Sequence, residues 1–321
     1  MKRRIMSLIT LIILLVCMTA GAGSAPDQTA RTTKITARCV SETEGQELMR
    51  GRTLFHSQIN ERALPFYLQR KSGTVEDYIE YSARQVMPFT PEEERRVQDA
   101  MDWLSQLLES HGLKLPDPGT VNFVKTTGKE VQGASGYTSE GTIFLTWDIY
   151  SAENTDEAQF RRIVLHELSH CLSRLFPEYR REMYSLIHFT VLDHDIEIPD
   201  EVARQILANP DVEHHNSCAA FTINGVKTDC YLIAVTDSVF EKEGDTSTRK
   251  IGIVPMDSTT IYSPDDVPDF WDVMSRNTWY VIDPEEAMAE NFAFALIHLD
   301  DGYAEYDRPE IMEGVIDYLK K

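Results

Sequence analysis

Apolar residues recur at helical spacing between residues 156 and 176. Phe160, Ile163, Val164, Leu168, Cys171, Leu172 and Leu175 cover more than one face, the pattern of a buried helix. Asn154, with Glu157 three residues on, reads as its N-terminal cap. A second strong helix opens at Thr90-Pro91-Glu92-Glu93, with a capping threonine, a first-turn proline and acids at the positive end. It continues through Val97, Met101, Leu104, Leu107 and Leu108 and stops at Gly112. Weaker helical text lies at 43–54, 75–85, 177–189 and 199–207, the last broken by Asn209-Pro210-Asp211. Between these stretches the period changes to two. Val121-Asn122-Phe123-Val124 and the run from Thr142 to Trp147 read as strands joined by a turn-rich connection at 133–141. Asn224-Gly225 between two alternating runs predicts a hairpin with Ala219, Phe221, Ile223, Val226, Cys230 and Leu232 on one face. That register puts Cys218 on the face opposite Cys230. Residues 238–275 are acidic and turn-rich without a clear period, and read as loops or a lid. Helices and strands thus form separate runs, the pattern of an α+β fold.

The chain starts with Lys2, Arg3 and Arg4, then an apolar run from Ile5 to Val16, then small residues up to Ala25. This is the grammar of a secretory signal peptide over 1–22, with Ala20-Gly21-Ala22 as the cleavage site. The expected destination is outside the cytoplasm: secreted, periplasmic or at the cell surface. A lipid anchor at Cys17 ranks second, because Leu14-Leu15-Val16 lacks the small residue that such a site prefers. Residues 23–38 are expected to be a mobile mature N-terminus. Residues 39–321 are expected to form one domain, with a helical N-terminal part at 39–115 and a long insert at 177–275. The formal net charge of −21 becomes more negative once the basic leader is removed. That argues against nucleic-acid or anionic-membrane partners, and no mature segment is apolar for long enough to span a bilayer. Cys39, Cys171, Cys218 and Cys230 remain, and their spacing leaves every pairing open.

The candidate chemistry lies in the buried helix. His166-Glu167-Leu168-Ser169-His170 reads H-E-x-x-H. Residues four apart share a helix face, so two imidazoles can address one ion while Glu167 stands close enough to act as a general base. The plainer alternative is two core histidines bonded to backbone, with Glu167 in an ion pair. The strand from Thr142 to Trp147 leads into this helix, and a free edge there could hold an extended peptide or protein substrate by strand addition.

A hydrolytic zinc ion needs a third protein ligand and an open position. Asp283-Pro284-Glu285-Glu286-Ala287-Met288-Ala289-Glu290 opens a helix that supplies it. Glu286 could close a capping box with Asp283, but that leaves Glu290 unexplained. Two carboxylates four apart repel unless a cation lies near, and Ala287, Ala289 and Ala293 allow close approach of another helix. Glu286 as ligand, with Glu290 on the far nitrogen of a ligand histidine, resolves the conflict.

H-E-x-x-H followed by a helix with Glu286-x-x-Ala289-Glu290-x-Phe292 resembles the gluzincin metallopeptidases, and most of all the anthrax-lethal-factor type. The stretch from Ala295 through Asp307-Arg308-Pro309 to Leu319 is similar to that type's closing helices. The segment between His170 and Glu286 is longer than in that type. The resemblance implies a zincin-like core: a small mixed sheet packed on the H-E-x-x-H helix, followed by a C-terminal helical part. It implies Zn²⁺ held by His166, His170 and Glu286, with Glu167 as general base and Glu290 behind a histidine. It also implies a tyrosine or histidine that stabilises the oxyanion. Tyr280 stands near the expected place, one residue short in spacing, and His214 and His215 are rivals in a polar loop. The expected activity is zinc-dependent endopeptidase action outside the cell. The alternative from another class is a non-catalytic zinc-containing surface binding module, which would have no need of Glu167.

Overall fold

The computed structural model describes residues 26–321; the expected leader, Cys17 included, lies outside them. The fold is α+β, with small sheets among many helices. The sheet nearest the motif runs in the order Thr36–Cys39, Thr120–Thr126, Thr142–Thr146, Gly136–Ser139, and Val86–Met87 also pairs with Thr120–Thr126. Thr120–Thr126 is parallel to both of its neighbours in this order, and Gly136–Ser139 is antiparallel to Thr142–Thr146. Val121, Phe123, Ile143 and Leu145 point from this sheet into one core with Phe160, Val164, Leu165 and Leu168 of the motif helix, Glu157–Leu175. The long helix Pro91–His111 closes the same core; its Thr90–Glu93 capping box and left-handed Gly112 are the start and stop expected from the sequence.

The helices Pro284–Ile297 and Pro309–Leu319 complete this core, with Phe292, Leu296, Ile311 and Val315 buried. A second sheet orders Lys250–Pro255, Val226–Val235, Ser217–Ile223 and Thr190–Val191. Its hairpin turns at Asn224 and Gly225, both with positive φ (50° and 82°), and pairs Val226 with Ile223. Ala219, Phe221, Cys230 and Leu232 therefore face the common core, and among the described residues Cys39, Cys171, Cys218 and Cys230 form no disulfide with one another. No helix of the described residues is long and apolar enough to cross a membrane.

Several expectations need correction. Of the segment 23–38, the described residues from 26 on enter the fold: Arg31–Thr32 pairs with Leu115–Pro116, and Thr36–Cys39 forms an edge of the first sheet. Its polar side chains are those of edge strands, which solvate one face. The strand from Thr142 has no free edge, because Gly136–Ser139 folds back onto it through a two-residue turn at Glu140-Gly141, with Glu140 at φ 57°. That turn lies inside the connection at 133–141 expected to be turn-rich, which hid the strand Gly136–Ser139. Residues 238–275 are not loop throughout: Lys250–Pro255 pairs with Val226–Val235, and Phe270–Met274 is helical and buries Phe270. The motif helix is capped by Asp156, which accepts from Gln159 N at 2.8 Å, while Asn154 bonds the carbonyl of Asp148. The helical text at 43–54 is split into Glu42–Met49 and Leu54–Gln58 around Gly51.

Candidate metal centre and cleft

His166 and His170 sit one turn apart on the motif helix, and both are buried. Their Nε2 atoms lie 3.1 Å from each other. Glu286 Oε2 lies 3.1 Å from the first and 3.4 Å from the second. These three atoms form a nearly equilateral triangle. Four ligands at about 2.0–2.1 Å from a tetrahedral ion stand roughly 3.3 Å apart, so the triangle has the size of one face of such a site.

The far side of each imidazole faces its own carboxylate, hydrogen-bonded at His170 and in close charge contact, without an aligned bond, at His166. His166 Nδ1 lies 3.0 Å from Glu290 Oε1, and His170 Nδ1 lies 3.1 Å from Glu285 Oε1. The pairing runs 166 with 290 and 170 with 285, so the two helices are antiparallel. Ala287, Ala289 and Ala293 are fully buried on the acidic helix and keep side-chain bulk away from this contact. A proton on each Nδ1 leaves both Nε2 lone pairs facing one another, an arrangement that a cation between them would stabilise.

Glu285 is braced further by Ser173 Oγ at 2.9 Å, by Arg180 Nε at 3.4 Å and by the Tyr184 hydroxyl. Glu286 turns its other oxygen to Asn209 Nδ2 and to the Tyr280 hydroxyl, the latter at 3.3 Å. It closes no capping box; Asp283 caps Glu285 N instead, at 2.9 Å. Arg162 pairs with Glu290, and Arg249 reaches the Tyr280 hydroxyl at 3.4 Å.

Glu167 lies beside this triangle in a cleft of about 310 Å³ lined in part by Gly136, Tyr150, Ile163, Asp211, Arg249 and Tyr280. Its Oε2 is buried without a hydrogen-bond partner among the described residues. Gly136 runs so close that an added Cβ would stand 2.7 Å from Glu167 Oε1 and 3.2 Å from Phe144 O. Glu167, His170 and Asp211 each bring a ligand atom within 4.8 Å of the others.

The charges are strongly coupled. Burial disfavours a proton on His166, but Glu286 and Glu290 outweigh it and raise the imidazole to about 9. Burial likewise opposes a charge on His170, yet Asp211, Glu285 and Glu286 raise it well above the ordinary histidine range. Against the same burial, the two histidines hold Glu286 well below the carboxylate range, and His170 and Arg180 bring Glu285 down to about 2. Glu167 moves the other way: burial first, then the nearby Asp211 carboxylate, push it up to about 8. A divalent cation entering the triangle would therefore displace protons from the imidazoles.

The structure brings His166, His170, Glu286, Glu290, Glu167 and Tyr280 together. It leaves out two expected residues. His214 is exposed, bonds Asp195 at 3.1 Å and lines a separate cavity behind His170; His215 turns toward Ile206 and Ile198. The loop that carries them leaves the cleft after Asp211, because Arg174 ties Glu213 at 2.8 Å and the Pro210 carbonyl at 3.3 Å. Sequence reading missed Glu285, Asn209, Asp211 and Arg249. Glu285 sits next to the expected ligand and was legible as a helix-start acid only; the other three lie in loops without a periodic signal.

Comparison of the chain with models of known protein families, with curated proteins and with solved structures gave no match.

Proposed function

We propose that the chain is a zinc metallopeptidase with a zincin-like core, His166, His170 and Glu286 holding the ion and Glu167 acting as general base. The observation that carries this reading is the triangle of two Nε2 atoms and one carboxylate oxygen, 3.1–3.4 Å on a side, open to a cleft where Glu167 has a free oxygen. The donor set fits zinc, since two neutral imidazoles and one carboxylate are a hydrolytic zinc set, and each imidazole has a carboxylate fixing its tautomer. A structural site would close its fourth position with Cys or His, and among the described residues no such side chain joins this triangle. Zinc bound there would polarise a carbonyl and acidify a water.

The protein's own groups do the rest. Glu167 removes the water's proton and passes it to the leaving amine. Glu290 and Glu285 hold the histidines in register. Tyr280, with Arg249 behind it, offers a donor on the cleft wall where a developing oxyanion would stand. The edge available to an extended substrate is that of Gly136–Ser139, the outermost strand of the sheet.

Glu167→Gln tests the reading. The variant should keep its zinc and fold, while chelator-sensitive cleavage of unstructured peptides, read by mass spectrometry, falls at least about a hundredfold. Cleavage at the parental rate would remove Glu167 from the mechanism.

A further inference from the structure

Resting on that reading, we propose that the cleft takes its substrate by the free N-terminus, with Asp211 receiving the α-ammonium, so that residues are removed one at a time from the chain end. The argument begins with the edge strand. The Ser135 carbonyl accepts from Thr146 N, so by alternation Gly136 and Thr138 turn their backbone groups outward. The outward N–H of Thr138 is already used: it donates to Asp211 Oδ1 at 2.7 Å, and the Thr138 hydroxyl does the same at 2.7 Å. Arg174 locks this arrangement by bonding Thr138 Oγ1 at 2.8 Å along with Glu213 and the Pro210 carbonyl. The edge is thus closed beyond Thr138 and open at Gly136.

The open part leads the other way. Gln159, Arg162 and Ile163 line the cleft and precede His166 on the motif helix, whereas Asp211 and Arg174 stand by its later turns. A substrate added along the open part of this edge runs between Asp211 and the helix start, with one of its ends at Asp211. The local charge selects which. Asp211 is buried and makes no ion pair within the described residues, and Glu167 Oε2 beside it is buried and unpartnered. Arg162 is committed to Glu290, and Arg249 lies against Tyr280. Beside Asp211 and Glu167 a terminal carboxylate would face two carboxylates, while an ammonium would gain Asp211 as its acceptor and leave Glu167 to the water.

The distances set the number of residues removed. Asp211, Glu167 and His170 have ligand atoms within 4.8 Å of one another. Within one residue the amine nitrogen and carbonyl carbon are about 2.5 Å apart, and each further residue adds roughly 3.5 Å. An ammonium on Asp211 therefore places the first carbonyl, and not the second, beside the triangle. The reaction adds one water across the first peptide bond: its hydroxyl goes to the carbonyl carbon, the C–N bond breaks, and its proton ends on the leaving nitrogen.

The test uses the full zinc-loaded chain and unstructured peptides made in pairs, with a free or an Nα-acetylated N-terminus. Mass spectrometry should show single-residue trimming of the free forms and at least about a hundredfold slower reaction of the acetylated ones. Internal cleavage of acetylated and free peptides at equal rates would overturn the proposal and leave the peptidase reading standing. Calorimetry with leucine hydroxamate and N-acetyl-leucine hydroxamate covers a protein that cleaves none of the peptides. The free-amine form should bind at least about thirtyfold tighter, an advantage that Asp211→Asn abolishes while the acetylated form binds both proteins alike. Asparagine can still accept from Thr138, so the loop should stay in place. Equal binding of the two hydroxamates to the parent overturns the proposal alone; no binding of either, with no cleavage, sinks the zinc-peptidase reading with it.

Discussion

Glu285 Oε1 stands 3.1 Å from His170 Nδ1, the counterpart of the 3.0 Å approach of Glu290 to His166. Each proposed ligand imidazole thus has a private carboxylate, and the one on His170 is itself tied down by Ser173, Arg180 and Tyr184. Glu285→Gln keeps the shape but weakens the acceptor. Zinc affinity measured by competition with a chromogenic chelator should fall about 10–100-fold, as it should for Glu290→Gln. His166→Ala and Glu286→Ala should lose more, by orders of magnitude. Full affinity in Glu286→Ala would show that this carboxylate serves the helix and not an ion.

Zinc affinity and apo stability should respond to pH with opposite signs. The folded-state His166 sits at about 9, above the ordinary value of roughly 6.5 for an unfolded chain. A raised histidine contributes stability that is fully present below the unfolded value and is lost as pH rises through the folded one. The chelated protein should therefore lose stability between about pH 6.5 and 9, seen as a falling urea midpoint. Zinc must displace the same protons, so its affinity should climb by up to about tenfold per pH unit per proton over that window. A chelated protein equally stable at both ends would contradict the coupling.

Gly136→Ala isolates the strand beside Glu167. The new methyl would stand 2.7 Å from Glu167 Oε1 and 3.2 Å from the Phe144 carbonyl. The carboxylate is the softer neighbour and should turn away. Peptide cleavage should drop roughly a hundredfold, the scale of a displaced catalytic group, with zinc content unchanged. Unchanged turnover would mean that Glu167 works from another rotamer.

Arg96 should matter for the fold rather than the chemistry. Its guanidinium is buried and bonds the carbonyls of Tyr150 at 2.5 Å and Thr155 at 2.6 Å, where the chain turns into the motif helix. Its ion pair with Glu157 counts for little, because that carboxylate is half exposed. Arg96→Met should cost about 3 kcal/mol in denaturant unfolding, from the buried carbonyls left without donors. Zinc bound by the folded fraction should keep its affinity.

Local periodicity carried much of this molecule. The helices at Pro91–His111, Glu157–Leu175 and Pro284–Ile297, and the hairpin at Asn224-Gly225, were legible because caps, prolines, glycines and apolar spacing act within a few residues. The i, i+4 pairs His166/His170 and Glu286/Glu290 were legible for the same reason, since one helix face holds both members. What the sequence could not decide was which distant groups meet. The strand Gly136–Ser139 became visible only once its pairing with Thr142–Thr146 formed, and that pairing moved the open edge away from where the sequence suggested it. The antiparallel docking of two helices, 115 residues apart at His170 and Glu285, gave Glu285 a role that its position at a helix start concealed. Asp211 and Asn209 reached the cleft, and His214 and His215 left it, because Arg174 fixes the loop they share. A loop has no period, so its path is set by the long-range hydrogen bonds and ion pairs that end it, and those exist only in the folded chain.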